Sequence, residues 1–128
     1  DDVVESVLQE VGLGDLLQRY GLDGQEAWSA VLSLGEQQRI NFARAFLQPG
    51  LQLALIDEGT SACDPASEAR LYGLLSSRLR SHVSVGHRPA LRRYHSHALW
   101  LRRGDKSVGG GRGPALCSFL PMAEYQRL

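Results

Sequence analysis

The 128-residue sequence is poor in several residue types: it holds one lysine, Lys106, one methionine, Met122, and two cysteines, Cys63 and Cys117. The cysteines form no CxxC and no paired Cys/His spacing, which argues against a disulfide framework and for reduced thiols. No apolar run approaches the ~18 residues that a membrane-spanning helix needs, so any work at a membrane would rely on another segment for the spanning. Acidic and basic residues balance at 14 each, which leaves neither an acidic tail nor the basic excess of a nucleic-acid binder. The chain begins Asp1-Asp2, and no charged, apolar leader is present; with Met122 as its only methionine it reads as a piece of a longer polypeptide. Its length suits one domain able to bury roughly two-thirds of its unfolded surface.

Apolar residues at 4, 7, 8 and 11, then 13, 16, 17 and 20, predict two short helices divided by Gly12 and Gly14. Residues 21–31 read as a loop anchored by Trp28. Over 33–47 the helical pattern is clean, with Ile40, Ala43, Phe46 and Leu47 on one face. Ser33 followed by Glu36 fits a capping box, and Gln48-Pro49-Gly50 stops the helix. The run 51–56, LQLALI, predicts a buried strand. Asp64 as N-cap and Pro65 in the first turn start a helix whose apolar face is Leu71, Leu74, Leu75 and Leu79. Residues 82–86 and 98–101 predict second and third strands, the latter ending at a turn over Arg102–Lys106. GGGRG at 109–113 reads as a flexible joint, with a short helix after Pro121. The order of elements implies a parallel α/β sheet with ligands beyond the strands' C-terminal ends. Asp57, Glu58 and His87 fall there.

Adjacent carboxylates after an apolar strand suit a magnesium site, because Mg²⁺ takes one or two carboxylates plus phosphates. The second carboxylate could orient or deprotonate an attacking water. Read alone, Asp57 and Glu58 serve equally well as solvated turn residues. His87 alone is more often a loop residue, and His95-x-His97 lacks a third ligand at useful spacing. The helix start at Ser33 offers free N–H groups to an anion, with Gly35 allowing close backbone approach; taken by itself it is a plain capping box.

The combination is more specific. Leu32-Ser33-Leu34-Gly35-Glu36-Gln37-Gln38-Arg39, continued by Asn41-Phe42-Ala43-Arg44-Ala45, resembles the signature motif of ABC-transporter nucleotide-binding domains. Leu53-Ala54-Leu55-Ile56-Asp57-Glu58 resembles that family's Walker B strand, Thr60-Ser61-Ala62-Cys63-Asp64 its D-loop, and Ser84-Val85-Gly86-His87-Arg88 its switch-histidine segment. The four motifs span residues 32–88 in the family's order. Trp28, the Leu-Ser-Leu-Gly-Glu-Gln-Gln-Arg run and Gly86-His87-Arg88 are similar to the peroxisomal-type half-transporters (subfamily D) and their bacterial relatives.

The resemblance implies an α/β chain carrying part of a P-loop ATPase fold, a short parallel sheet with flanking helices. Residues 1–50 would belong to the helical signature subdomain, 51–108 to the core, and 109–128 to a joint and C-terminal extension. It implies an ATPase that powers transport, with ATP and Mg²⁺ as cofactors. Ser33, Gly35 and Glu36 would contact the γ-phosphate held by a second nucleotide-binding domain in a head-to-tail dimer. Asp57 would help hold Mg²⁺, commonly through water, Glu58 would polarise the attacking water, His87 would contact the γ-phosphate, and Asp64 would act across the dimer. A transmembrane domain outside these residues would be the other partner, placing the chain at a membrane on its cytosolic or stromal side, with no role for nucleic acid.

The sequence departs from the family's pattern in places. Leu34 and Glu36 stand where glycine and glutamine are usual, and Gly59 stands for alanine, a mild change. The capping box offers Glu36 a partner away from phosphate. Nothing matches GxxxxGK[ST], the loop that cradles phosphates, so this chain is expected not to bind or hydrolyse ATP usefully by itself. Two other identities are open to the same motifs. One is the C-terminal lobe of a chromosome-condensation or DNA-repair ATPase head, against which Gly12, Gly14, Gly21 and Gly24 speak, since they leave no heptads before the signature. The other is a non-catalytic dimerisation module.

Overall fold

The computed structural model describes residues 1–102 and 116–127. It divides into two compact units, Asp1–His87 and Arg88–Leu128.

The first unit is built on helices. α1 (Asp2–Glu10) and α2 (Gly14–Tyr20) are separated by a turn in which Gly12 adopts φ +80, a backbone state that glycine enters without a Cβ penalty. Trp28 begins a single helical turn, α3 (Trp28–Val31), where the sequence suggested only loop. Its indole meets the edge of Tyr20 at 5.2 Å between centroids, the anchoring expected of it. α4 (Leu34–Phe46) and α5 (Pro65–Arg78) complete the helices. The core is Val7, Val11 and Leu13 from the α1–α2 region, Phe42 and Ala43 of α4, and Leu71, Tyr72 and Leu75 of α5. Leu71, Tyr72 and Leu75 are no more than 1 % exposed, and burial of each such leucine contributes roughly 1.5–3 kcal/mol. Phe42 and Tyr72 belong to this core although the apolar spacing did not single them out.

Strands β1 (Leu53–Asp57) and β2 (Ser81–Val85) pair in parallel, from Leu53 opposite Ser81 to Asp57 opposite Val85. α5 is the crossover between them, packing on β2 where Tyr72 sets its ring against His82. LQLALI was expected to be buried, but only one sheet face is covered among the described residues of this unit. On the other, Leu53, Leu55, Val83 and Val85 are 49 to 76 % exposed. An apolar pattern on both faces belongs to a parallel strand covered twice, and the single crossover helix covers one side.

The second unit holds a 3-10 turn (Pro89–Tyr94), β3 (His97–Arg102), β4 (Leu116–Pro121) and α6 (Met122–Tyr125). The expected third strand is present, but its partner is β4, antiparallel, with Leu99 opposite Phe119. A parallel arrangement for it is thereby corrected. Alternation explains the pairing: Leu99 and Phe119 lie on one exposed face, while Trp100 on the other sets its ring edge-on to Tyr125. The short helix after Pro121 forms as α6. The 109–113 joint and Lys106 lie outside the described residues.

Candidate functional site

The start of α4 is fixed by its own sequence. Ser33 is the N-cap, and the capping box forms in both directions: Glu36 N–H donates to Ser33 Oγ at 3.3 Å, and Ser33 N–H donates to Glu36 Oε2 at 2.9 Å. The Ser33 hydroxyl also donates to Glu36 Oε2 at 2.7 Å. Arg19 of α2 lies 3.7 Å from Glu36 Oε1. The Ser33 hydroxyl and N–H hold the Glu36 carboxyl below its ordinary value, with Arg39 and Arg19 adding to the effect against some burial. The unusual glutamate is therefore held as a carboxylate, with Oε2 taken up by the start of its own helix. Leu34 points to solvent, 59 % exposed. Gly35 has a packing reason to be glycine: a Cβ there would sit 2.9 Å from the Ala62 carbonyl oxygen. The loop after β1 therefore presses directly on the first turn of α4.

At the sheet's C-terminal end, Asp57 closes β1 and Glu58 follows it. Glu58 N–H donates to the Val85 carbonyl at 2.9 Å, which extends the β1–β2 ladder by one bond. The backbone of Glu58 adopts φ +49, a left-handed state costly for a residue with a Cβ. Its side chain meets His87, Nδ1 to Oε1 at 3.1 Å, with both groups open to solvent. Two residues 29 apart in sequence are thus brought together at the ends of neighbouring parallel strands, where α/β folds bind ligands.

The loop between β1 and α5 is secured from both sides. The Thr60 hydroxyl donates to Glu68 Oε2 at 2.8 Å, and both residues are buried, 3 % and 4 % exposed. Gln38 of α4 reaches across to Glu58, Ser61 and Ala62. Asp64 caps α5: Oδ1 accepts from Ala66 and Ser67 N–H at 3.0 and 2.9 Å, and Oδ2 accepts from the Ser67 hydroxyl at 2.6 Å. The Ser67 hydroxyl and N–H lower the Asp64 carboxyl below its ordinary value. Gly59 proves less interchangeable with alanine than expected, because an added Cβ would lie 2.6 Å from Ile56 Cγ2 and 3.5 Å from the Phe42 ring. Neither the strain at Glu58 nor the reach of Gln38 has a signal in the sequence. Both depend on pairings 20 or more residues apart.

The structure therefore joins Glu58 with His87 and leaves Asp57 beside them in the chain. Ser33, Gly35 and Glu36 form a second cluster. No hydrogen bond or ion pair joins the two clusters directly among the described residues; the loop from Gly59 to Cys63 lies between them. No group of three or more His, Cys, Asp and Glu side chains is arranged to hold a metal among the described residues. Asp57 alone, exposed and without a hydrogen-bond partner among the described residues, fits only a metal that takes most of its ligands from phosphate and water, as Mg²⁺ does. His95 is bound to the Leu91 carbonyl at 2.8 Å, and His97 stacks on Phe119 at 4.7 Å.

No protein-family model matches the chain. Individual proteins do. An uncharacterised ABC transporter ATP-binding protein of Synechocystis is 50 % identical over 101 residues, 77 % of this chain and 15 % of that protein. The chloroplastic ABC transporter D family member 2 of Arabidopsis thaliana is 47 % identical over 107 residues, 82 % and 15 % of the two lengths. The human lysosomal cobalamin transporter ABCD4 is 41 % identical over 116 residues, 88 % and 18 %. The chain thus spans under a fifth of the length of these relatives. They lend no support to a DNA-repair head or a bare dimerisation module. Over most of its own length, the chain is a homologue of the ATP-binding proteins of ABC transporters, D-family members and bacterial relatives among them.

Proposed function

We propose that residues 1–128 are the C-terminal portion of an ATP-hydrolysing nucleotide-binding domain that powers a transporter. The observation that carries this reading is the 3.1 Å meeting of Glu58 and His87 beyond the parallel strands, one loop away from the α4 N-terminus. In this reading Glu58 polarises the attacking water and His87 contacts the γ-phosphate of the same ATP. Asp57 supplies one carboxylate to Mg²⁺, which offsets the charge of the phosphates when bound. Ser33 and Gly35 present the N-terminus of α4 to an ATP held by a second domain. Glu36 stays turned into its capping box, and Asp64 stands at the dimer face. The lysine and glycine loop that grips ATP comes from residues outside 1–128. Elements outside 1–128 likewise cover the open Leu53, Leu55, Val83 and Val85 face. The membrane partner is a transmembrane domain of the same transporter, with the present residues on its cytosolic or stromal side.

The test is a chimera in which residues 1–128 replace the matching segment of the Synechocystis relative. It is expected to hydrolyse ATP, and Glu58→Gln to lower the rate by about 10²-fold or more while ATP-driven dimerisation persists. Glu36→Gln is expected to be tolerated. A chimera that binds ATP yet loses nothing on Glu58→Gln would refute the reading.

A further inference from the structure

We propose that Gln38 is a positioning residue for Glu58, tying the signature helix to the backbone that aims the catalytic carboxylate; this rests on the ATPase reading above. The Gln38 side chain spans from α4 to the loop after β1. Its Nε2 donates to the Glu58 carbonyl at 3.2 Å and to Ser61 Oγ at 2.8 Å. Its Oε1 accepts from the Ala62 N–H at 2.9 Å and from the Cys63 thiol at 3.6 Å. A carboxamide has two donor hydrogens and two acceptor lone pairs, and all four are used on one loop. The side chain of its neighbour Gln37 instead donates to the Leu32 carbonyl of its own helix start at 3.0 Å.

Glu58 is where such a clamp matters. Its φ of +49 is a state the chain would leave unless its surroundings held it. The Val85 carbonyl holds its N–H, and its own carbonyl accepts from both Ser61 N–H, at 3.1 Å, and Gln38. The peptide on each side of the Glu58 Cα is thereby pinned, and the direction of the carboxylate with it. The same carboxamide belongs to the helix whose first turn carries Ser33 and Gly35, and Gly35 rests against Ala62. A shift of that turn on meeting phosphate is passed to Glu58 through one rigid side chain. In a head-to-tail dimer those two ends serve different ATP molecules, so Gln38 couples the two sites.

The experiment uses the chimera described above. Gln38→Glu keeps the shape and the Ala62 bond but faces the Glu58 carbonyl with an acceptor. It is expected to lower kcat about tenfold, since small misplacements of a catalytic group carry losses of this order, while KM for ATP and ATP-driven dimerisation stay within about twofold. Gln37→Glu should leave kcat within about twofold. On a Glu58→Gln background, Gln38→Glu should change the residual rate by less than about twofold, because a residue acting through Glu58 has nothing left to aim. Should Gln38→Glu not fold, Gln38→Met and the exposed Ser61→Ala put the same question. An unchanged kcat, or the same fold loss on both backgrounds, overturns the proposal and leaves the ATPase reading intact. If Glu58→Gln alone leaves the rate unchanged, the ATPase reading fails and the role of Gln38 falls with it.

Discussion

Thr60→Val isolates the bond that moors the loop bearing Glu58. Thr60 and Glu68 are 3 % and 4 % exposed and joined at 2.8 Å. Valine fills nearly the same space, so the cost is that of removing one buried hydrogen bond to a carboxylate, and no cavity opens. Hydrogen bonds to charged groups are worth about 1.5–3 kcal/mol, so a loss of about 2 kcal/mol is expected. With a urea slope of about 2 kcal/mol per molar, the unfolding midpoint should fall by about 1 M. Thr60→Ser keeps the hydroxyl and forfeits one methyl group, at about 1 kcal/mol. The assay is urea unfolding of the 128-residue chain followed by far-ultraviolet circular dichroism. A Thr60→Val variant within about 0.5 kcal/mol of the parent, or less damaged than Thr60→Ser, would refute the assignment, since surface-like changes stay in that range.

Glu58→Gly should raise chain stability by up to about 1 kcal/mol by relieving the left-handed backbone, while abolishing hydrolysis in the chimera; a thermal melt beside an ATPase assay checks both. Gly59→Ala should destabilise by about 1–2 kcal/mol, because crowding against Ile56 outweighs the entropy gained in the unfolded chain; urea unfolding of the single variant measures it. Acid should weaken the chain in a defined direction. The Glu36 and Asp64 carboxyls lie below their ordinary values of 4.5 and 3.8 in the folded state. The unfolded chain therefore takes up their protons first, and the stability they contribute is full above about pH 5 and lost as pH falls through the folded values. Unfolding curves from pH 7 to pH 3 should show that decline, and Glu36→Gln should make it shallower.

Most of what the sequence disclosed was local. The Ser33–Glu36 box and the Asp64-Pro65 start are set by groups three residues apart or fewer, and both form as read. The strand ends carrying Asp57, Glu58 and His87 were legible because apolar runs stop there. What stayed hidden depends on distant partners. Gln38 sits 20 to 25 residues from the groups it bonds, and no spacing rule encodes that reach. Glycine at 35 also has a packing reason that no spacing discloses, since the Ala62 carbonyl oxygen lies where a Cβ would stand. β4 went unforeseen because LCSFLP mixes cysteine, serine and proline into its alternation, and β3 consequently received the wrong kind of partner.

The central claim is a division of labour: this chain brings the signature turn, Glu58 and His87, and another segment brings the grip on ATP. Calorimetric titration of Mg-ATP tests it directly, run on the 128-residue chain alone and on the chimera with the relative's upstream residues. The account predicts heat of binding from the chimera and none from the chain. Tight Mg-ATP binding by the chain alone would contradict it and would mean that these residues hold a nucleotide site of their own.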